Sequence, residues 1–188
     1  MAKPTAKNVL VPAAILTAIC IVISGLLALT NDITHKKIAE EAKKESMAAM
    51  SVIYSDDGVD FNDLTATDKE GNEFSYSKAE LKGETLGYIF TTNTNGYGGQ
   101  VSVMTGINVD GSIKSIQILS VADETPGLGQ NAKSEDFTKQ FSGKQSEISK
   151  EKNKEINAIT GATITTNAVI DDVNLARELF NIVTGGEK

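Results

Sequence analysis

The chain has 188 residues, with 18 Lys and Arg against 25 Asp and Glu, and a formal charge of −7. That acidic balance excludes nucleic acid as a partner, which needs a basic footprint. Its single Cys and single His, Cys20 and His35, both lie near the N-terminus. The remainder therefore has no disulfide, Cys-ligated cluster, Ser-His-Asp triad or ordinary His/Cys zinc site, and any reaction there depends on something the protein binds.

From Asn8 to Asn31 there are 24 consecutive residues without Asp, Glu, Lys, Arg or His. As a helix this stretch covers about 36 Å, against a hydrocarbon core of about 30 Å, and Pro12 falls in its first turns, where a helix tolerates it. A transmembrane helix over about 9–29 is expected, within an N-terminal segment 1–31. The alternative is a cleaved signal peptide, for which Ala28 and Thr30 give a weak small-x-small site. Its apolar region would run from Val9 to Leu29, beyond the roughly 7–15 residues of such peptides. Ile19 beside Cys20 fits lipid processing poorly, so Cys20 reads as a buried apolar residue. Lys3, Lys7 and the α-amino group precede the span and Asp32 follows it, while acids surround Lys36 and Lys37. This predicts a cytoplasmic N-terminus and an extracytoplasmic domain.

Residues 32–188 are 157 in number, a normal size for one domain. Setting aside Lys3 and Lys7, they hold 16 basic and 25 acidic residues, a formal charge of −9. From Asp32 to Met50, Ile33, Ile38, Ala42, Ala49 and Met50 recur among charges, which predicts a helix continuing from the anchor. Ser55 to Glu73 reads as a polar stretch with turn residues at Asp56, Asp57, Gly58, Gly71 and Asn72. Leu86 to Thr92 reads as a strand, and Asn93 to Gly99 as a flexible loop. Val101, Val103, Thr105, Ile107 and Val109 then alternate, Asp110-Gly111 signals a two-residue hairpin, and Ile116 and Ile118 continue the alternation.

Ser134 is the predicted N-cap of a short helix with Phe137 and Phe141 at i, i+4. A last helix begins near Thr163, with Ala168, Val169, Val173, Ala176, Leu179, Phe180 and Val183 as its buried stripe and Gly185-Gly186 as its stop. The fold class is α+β: an N-terminal transmembrane helix, then one domain with an antiparallel sheet and peripheral helices.

Two segments stand out chemically. Thr160-Gly161-Ala162-Thr163 is a small-residue loop entering a helix, where free N–H groups and the positive helix end suit a phosphate. Taken by itself, the same pattern also fits Thr163 or Thr165 as a plain helix cap. In Asp123-Glu124-Thr125-Pro126-Gly127-Leu128-Gly129, Pro126 fixes one φ and the glycines admit unusual ones, leaving Leu128 to press on a flat ligand. A rigid strand-to-helix turn is the simpler alternative.

Together with the Tyr97-Gly98-Gly99 loop and the Asp110-Gly111 hairpin, these segments resemble the FMN-binding domain of the G subunit of the Rnf electron-transport complex. Its relative, the C subunit of the Na⁺-translocating NADH:quinone reductase, shares them. The resemblance covers the anchor and most of the domain and is clearest from Tyr97 to Phe180. The short chain favours the Rnf protein.

The resemblance implies FMN as cofactor, bound covalently through a phosphoester to Thr163, the last residue of the Ser/Thr-Gly-Ala-Thr motif, with Thr160, Gly161 and Ala162 around it. A dedicated extracytoplasmic flavin transferase would make that bond. Where the family often has Asp three residues before the Ser/Thr, this chain has Asn157. Thr125, Gly127 and Leu128 are the implied contacts of the isoalloxazine ring, Glu124 and Gly129 are cofactor-binding residues of the same loop, and Gly98 and Gly99 are further candidates. The implied role is electron relay between ferredoxin and NAD⁺ coupled to Na⁺ or H⁺ movement, alongside other integral-membrane and redox subunits. The chain lacks a Gly-x-Gly-x-x-Gly fingerprint and is not expected to bind NAD itself. A stand-alone anchored flavin reductase, and a flavin-free structural or sensory domain, are the competing readings.

Overall fold

A computed structural model describes residues 6–151 and 155–185. Helix α1 runs from Ala6 to Ile53 with Pro12 inside it, so the apolar run and the charged stretch after it are one helix, as the pattern predicted. Leu10–Asn31 is long and apolar enough to cross a membrane. Cys20 is exposed on this helix, as are its apolar neighbours, so the expected burial is not provided by the protein itself. The side chains of Lys3 and Lys7, on which the orientation rests, lie outside the described ones, as does Gly186.

The chain divides into two units, the first ending at Lys44 and the second beginning at Glu45. The second is built on an antiparallel meander β1–β5, spanning Val59–Thr67, Glu73–Leu81, Glu84–Asn95, Gln100–Asn108 and Ile113–Ser120, with the strands in sequence order. Two short helical turns and α2 (Glu135–Thr138) follow, and α3 (Thr163–Thr184) closes the fold.

Three sequence expectations are corrected. The stretch from Ser55 to Glu73, read as polar turns, holds β1 and the start of β2. β1 is a sheet edge with mostly exposed residues, so no apolar alternation marks it. The predicted loop from Asn93 is still strand as far as Asn95, paired with Gln100, and only Gly96–Gly99 turn, closed by Gly96 N–H donating to Gly99 O at 2.8 Å. Asp110-Gly111 is not a two-residue hairpin: β4 and β5 are joined through 109–112. Asp110 Oδ1 there accepts from Ser112 N (2.9 Å) and Ser112 Oγ (2.6 Å), an Asx-type turn that lengthens the connection. Ser134 does occupy the N-cap of α2, by backbone conformation and without a side-chain hydrogen bond.

The two faces of the sheet bury different apolar groups. The end of α1, with Ile53 and Tyr54, packs on Ala79, Ile89 and Met104. Gly106 permits that approach, since a Cβ there would stand 2.2 Å from Ile53 Cγ2. On the other face Val169 and Val173 of α3 join Val101 and Val103 of β4, and Ala176 and Phe180 meet Phe90 and Ile107. This is the apolar stripe predicted for the last helix, and Gly185 ends it in the left-handed conformation, φ 68°.

The irregular segment before α3 is tied to that helix by polar side chains. Asn174 donates to Ile148 O (3.0 Å) and accepts from Ile148 N (2.9 Å), and Arg177 donates to the carbonyls of Gly111, Lys144 and Gln145. These bonds hold residues 144–148 against α3.

Candidate functional site

Three loops converge at the start of α3. The first, Thr125-Pro126-Gly127-Leu128, is a turn closed by Leu128 N–H donating to Thr125 O at 3.1 Å, with Pro126 second and Gly127 third at φ 76°. That is the residue order of a type II turn, whose third position favours glycine. Asn131 Nδ2 donates to Gly127 O at 2.7 Å and holds it from outside. The second loop turns at Gly161, φ 77°, with Ala162 N–H donating to Ile159 O at 2.9 Å. A Cβ on Gly161 would lie 3.1 Å from Leu128 Cδ2, so a bare backbone lets the two motif loops touch. The third loop is Gly96–Gly99.

Between them lies a cleft of about 530 Å³, lined by Tyr97, Glu124, Thr125, Leu128 and Gly129 from the strand side and by residues 161–165 from the helix side. Its rim holds three exposed apolar side chains: Tyr97 at 70%, Ile164 at 53% and Leu128 at 40%. The volume lies within the roughly 300–1,000 Å³ of small-molecule and cofactor sites, and a few polar groups among apolar walls is their usual character.

The helix end in this cleft has no side-chain cap. Ala162 occupies the N-cap position without a side-chain hydrogen bond, and the first turn carries no acid. The N–H groups of Thr163, Ile164 and Thr165 precede the first intrahelical acceptors and form, with the helix dipole, a ready anion site. Plain capping by Thr163 or Thr165, the simpler reading of the motif, is thus not what the structure shows.

The threonines of the motif differ sharply. Thr165 and Thr166 are buried. Thr165 Oγ1 donates to Glu124 Oε2 at 2.7 Å; Thr166 Oγ1 donates to Ala162 O at 3.0 Å and accepts from Ile159 N at 3.1 Å. Thr160 is exposed but does not line the cleft; Thr163 is exposed and does.

Glu124 is only 2% exposed. Besides Thr165, it accepts the N–H groups of Tyr97 (2.7 Å) and Gly98 (3.2 Å) on Oε1. Its carboxylate is therefore occupied by protein donors. Gly98 and Gly99 do not line the cleft either. They let the 96–99 turn lie against Asp123, whose O would stand 1.9 Å from a Cβ on Gly98. Thr125, Leu128, Gly129, Gly161 and Ala162 are brought together as the motifs implied, and Gly127 shapes the turn from its outer side. The sequence reading missed Tyr97 and Ile164 as lining residues. The aromatic ring beside two glycines was the one available signal for Tyr97.

Comparison with known proteins agrees with this geometry. Residues 96–178 match the FMN-binding domain family, and residues 1–53 match the RnfG N-terminal region. The chain is 36% identical over 187 residues to the G subunit of the Na(+)-translocating ferredoxin:NAD(+) oxidoreductase complex of Acetobacterium woodii, covering 88% of each chain. It is 30% identical over 177 residues to the G subunit of the proton-translocating ferredoxin:NAD(+) oxidoreductase complex of Clostridium ljungdahlii, covering 92% of this chain and 91% of the other. In fold it is similar to the C subunit of the Na(+)-translocating NADH-quinone reductase of Parabacteroides distasonis, at TM-score 0.56 and 17% identity over 69% of this chain and 80% of that one. The relatives' sequence identity and both family matches show that the chain belongs to the RnfG family, the G subunits of Rnf-type ion-translocating oxidoreductase complexes.

Proposed function

We propose that the chain is the electron-carrier subunit of an Rnf-type ferredoxin:NAD⁺ oxidoreductase complex and holds FMN as a phosphoester on Thr163. The observation that carries the attachment site is the contrast among four hydroxyls. Thr165 and Thr166 are buried and bonded and Thr160 lies off the cleft, while Thr163 is exposed within it at an uncapped helix start.

The residues fit the group. The N–H groups at the start of α3 would receive the phosphate, and the apolar side chains of Leu128, Tyr97 and Ile164 would suit the faces of a planar ring. When bound, FMN supplies electron transfer in single or paired steps. The chain's own residues would orient the ring between Leu128, Tyr97 and Ile164 and hold the phosphate end at the start of α3. Covalent attachment suits an extracytoplasmic domain, since a cofactor lost there is not recovered.

The apolar stretch of α1, within residues 1–31, is the anchor in this reading, with a cytoplasmic N-terminus and residues 32–188 outside. Partners are the other membrane and redox subunits and, during maturation, a flavin transferase. The coupling ion is Na⁺ or H⁺, both of which occur in the names of relatives.

Thr163→Ala tests the reading. It should abolish the flavin fluorescence that otherwise survives a denaturing gel, while Thr165→Ser and Thr166→Ser retain it. A flavin-bearing peptide with the modification on Thr160, Thr165 or Thr166 would overturn the assignment. Protease added to wall-stripped cells should remove the domain, and full protection would refute the orientation.

A further inference from the structure

We infer that Glu124 and Thr165 form a positioning clamp, which fixes the flavin-bearing first turn of α3 relative to the two loops that meet the ring. The inference rests on the flavin reading above but assigns these two residues a different task from contact with the cofactor.

The two oxygens of Glu124 face different elements. Oε1 takes the N–H groups of Tyr97 and Gly98, at 2.7 and 3.2 Å, and Oε2 takes the Thr165 hydroxyl at 2.7 Å. Thr165 is fully buried and stands two residues after Thr163 in the same helical turn. Glu124 is itself adjacent to Thr125, where the Leu128 turn begins. One side chain thus ties together the turn that carries Tyr97, the turn that carries Leu128, and the helix start that carries the attachment hydroxyl.

The surroundings are shaped to admit this carboxylate. A Cβ on Gly96 would stand 2.1 Å from Oε1, and one on Gly129 would stand 2.4 Å from Oε2 and 2.9 Å from Thr165 Oγ1. Two bare backbones, from different loops, are what lets the clamp close. A cofactor bonded through its phosphate to Thr163 is held firmly at one end only. Its ring lies several bonds away, so its environment depends on how the helix start is set against Tyr97 and Leu128. The bond to Thr165 is buried and those to Tyr97 and Gly98 are half-buried, and a partner left unmade away from water is costly.

The test uses the full chain, flavin-loaded and flavin-free. Thr165→Val removes one hydroxyl at nearly constant volume. In flavin-free protein, amide exchange at Tyr97 and Gly98 should accelerate about tenfold, as expected on weakening one hydrogen-bonded junction. In loaded protein, flavin should remain on Thr163 while its visible absorption, fluorescence anisotropy and midpoint potential all shift. Thr165→Ser, which restores the hydroxyl, should return all of these to wild type. Glu124→Gln keeps an acceptor for the two amides and a partner for Thr165, and should preserve the exchange protection.

Wild-type exchange, spectrum and potential in Thr165→Val would overturn the clamp. So would a Thr165→Ser protein as altered as Thr165→Val, because the effect would then be one of packing and not of the hydroxyl. Accelerated exchange in a protein whose wild type carries no covalent flavin would fault the flavin reading and leave the clamp standing.

Discussion

Two buried carboxyl groups lie at the inner face of α3, one reaching it from the Glu124 loop and one carried by the helix itself, and they are treated differently. Glu124 reaches the helix at Thr165, at the cleft, and has three donors on its two oxygens. Asp172 lies seven residues further along, on the same face by helical periodicity, and is 0% exposed. Its Oδ1 accepts from Thr94 Oγ1 at 2.9 Å, but its Oδ2 has no partner. Thr92, the other nearby hydroxyl, donates to the Asp172 backbone carbonyl at 3.0 Å. Burial, reinforced by the negative charge of neighbouring Asp171, pushes the Asp172 carboxyl up to about 6. The comparison separates a carboxylate built into the site from one that the fold tolerates at a cost in stability.

The largest effect should come from the well-partnered group. Glu124→Ala strands a buried hydroxyl and two half-buried N–H groups beside the space it leaves. We expect a loss of at least about 3 kcal/mol, measured by denaturant unfolding of the full chain in mild detergent. A loss below about 1 kcal/mol would mean that water replaces the carboxylate freely and that the contrast with Asp172 is empty.

Asp172 should behave in the opposite sense. Its folded value lies above the ordinary 3.8, so the folded state holds the proton more tightly than the unfolded chain does. Stability from this group is therefore full below about pH 4 and falls as pH rises through about 6, by roughly 3 kcal/mol in all. Asp172→Asn removes the ionisation but keeps a buried polar group. It should stabilise the protein by about 1–3 kcal/mol at pH 8 and by much less at pH 4. The difference between variant and wild type cancels the carboxyls that titrate in both. An equal gain at both pH values would show that Asp172 does not titrate in this range.

How much of this was legible in the sequence depends on whether the signal was local. The helix over the apolar N-terminal run, the stripe of α3 from Ala168 to Phe180, and the alternation of Val101, Val103, Thr105 and Ile107 are each written within a short window and match α1, α3 and β4, whereas Val109, read as the next position of that alternation, is exposed in the turn after β4. β1 was not legible, because an edge strand buries little and writes no alternation. The cleft residues on the two motif loops were legible through resemblance, since spacing alone admitted a cap or a turn just as well. Glu124 was named with its loop, but its task was hidden: Thr165 is 41 residues away, and nothing in either neighbourhood announces the other. Asp172 was silent for the same reason, its partner Thr94 being 78 residues distant on β3. Long-range polar pairs have no periodicity to reveal them.

The smallest effect concerns the other unpaired group. Among the described residues, two buried side-chain oxygens lack a hydrogen-bond partner: Asp172 Oδ2 and Thr105 Oγ1. Thr105 lies on β4 between Val103 and Ile107, on the strand face that meets α3, and is opposite Phe90 and Ile116 in the register. A hydroxyl there gives up its water and gains nothing in return, whereas valine has nearly the same shape and no such debt. Thr105→Val should therefore stabilise the protein by about 0.5–1 kcal/mol. Unlike Asp172→Asn it removes no titrating group, so the gain should be the same at pH 4 and pH 8. That contrast sharpens the difference between Glu124 and Asp172, because it separates the cost of an unpaired polar atom from the cost of an unpaired charge. Destabilisation by Thr105→Val would show that the hydroxyl is hydrogen-bonded in solution. A gain present only at pH 8 would show instead that Thr105 responds to the charge on Asp172, and the two groups would then have to be counted as one.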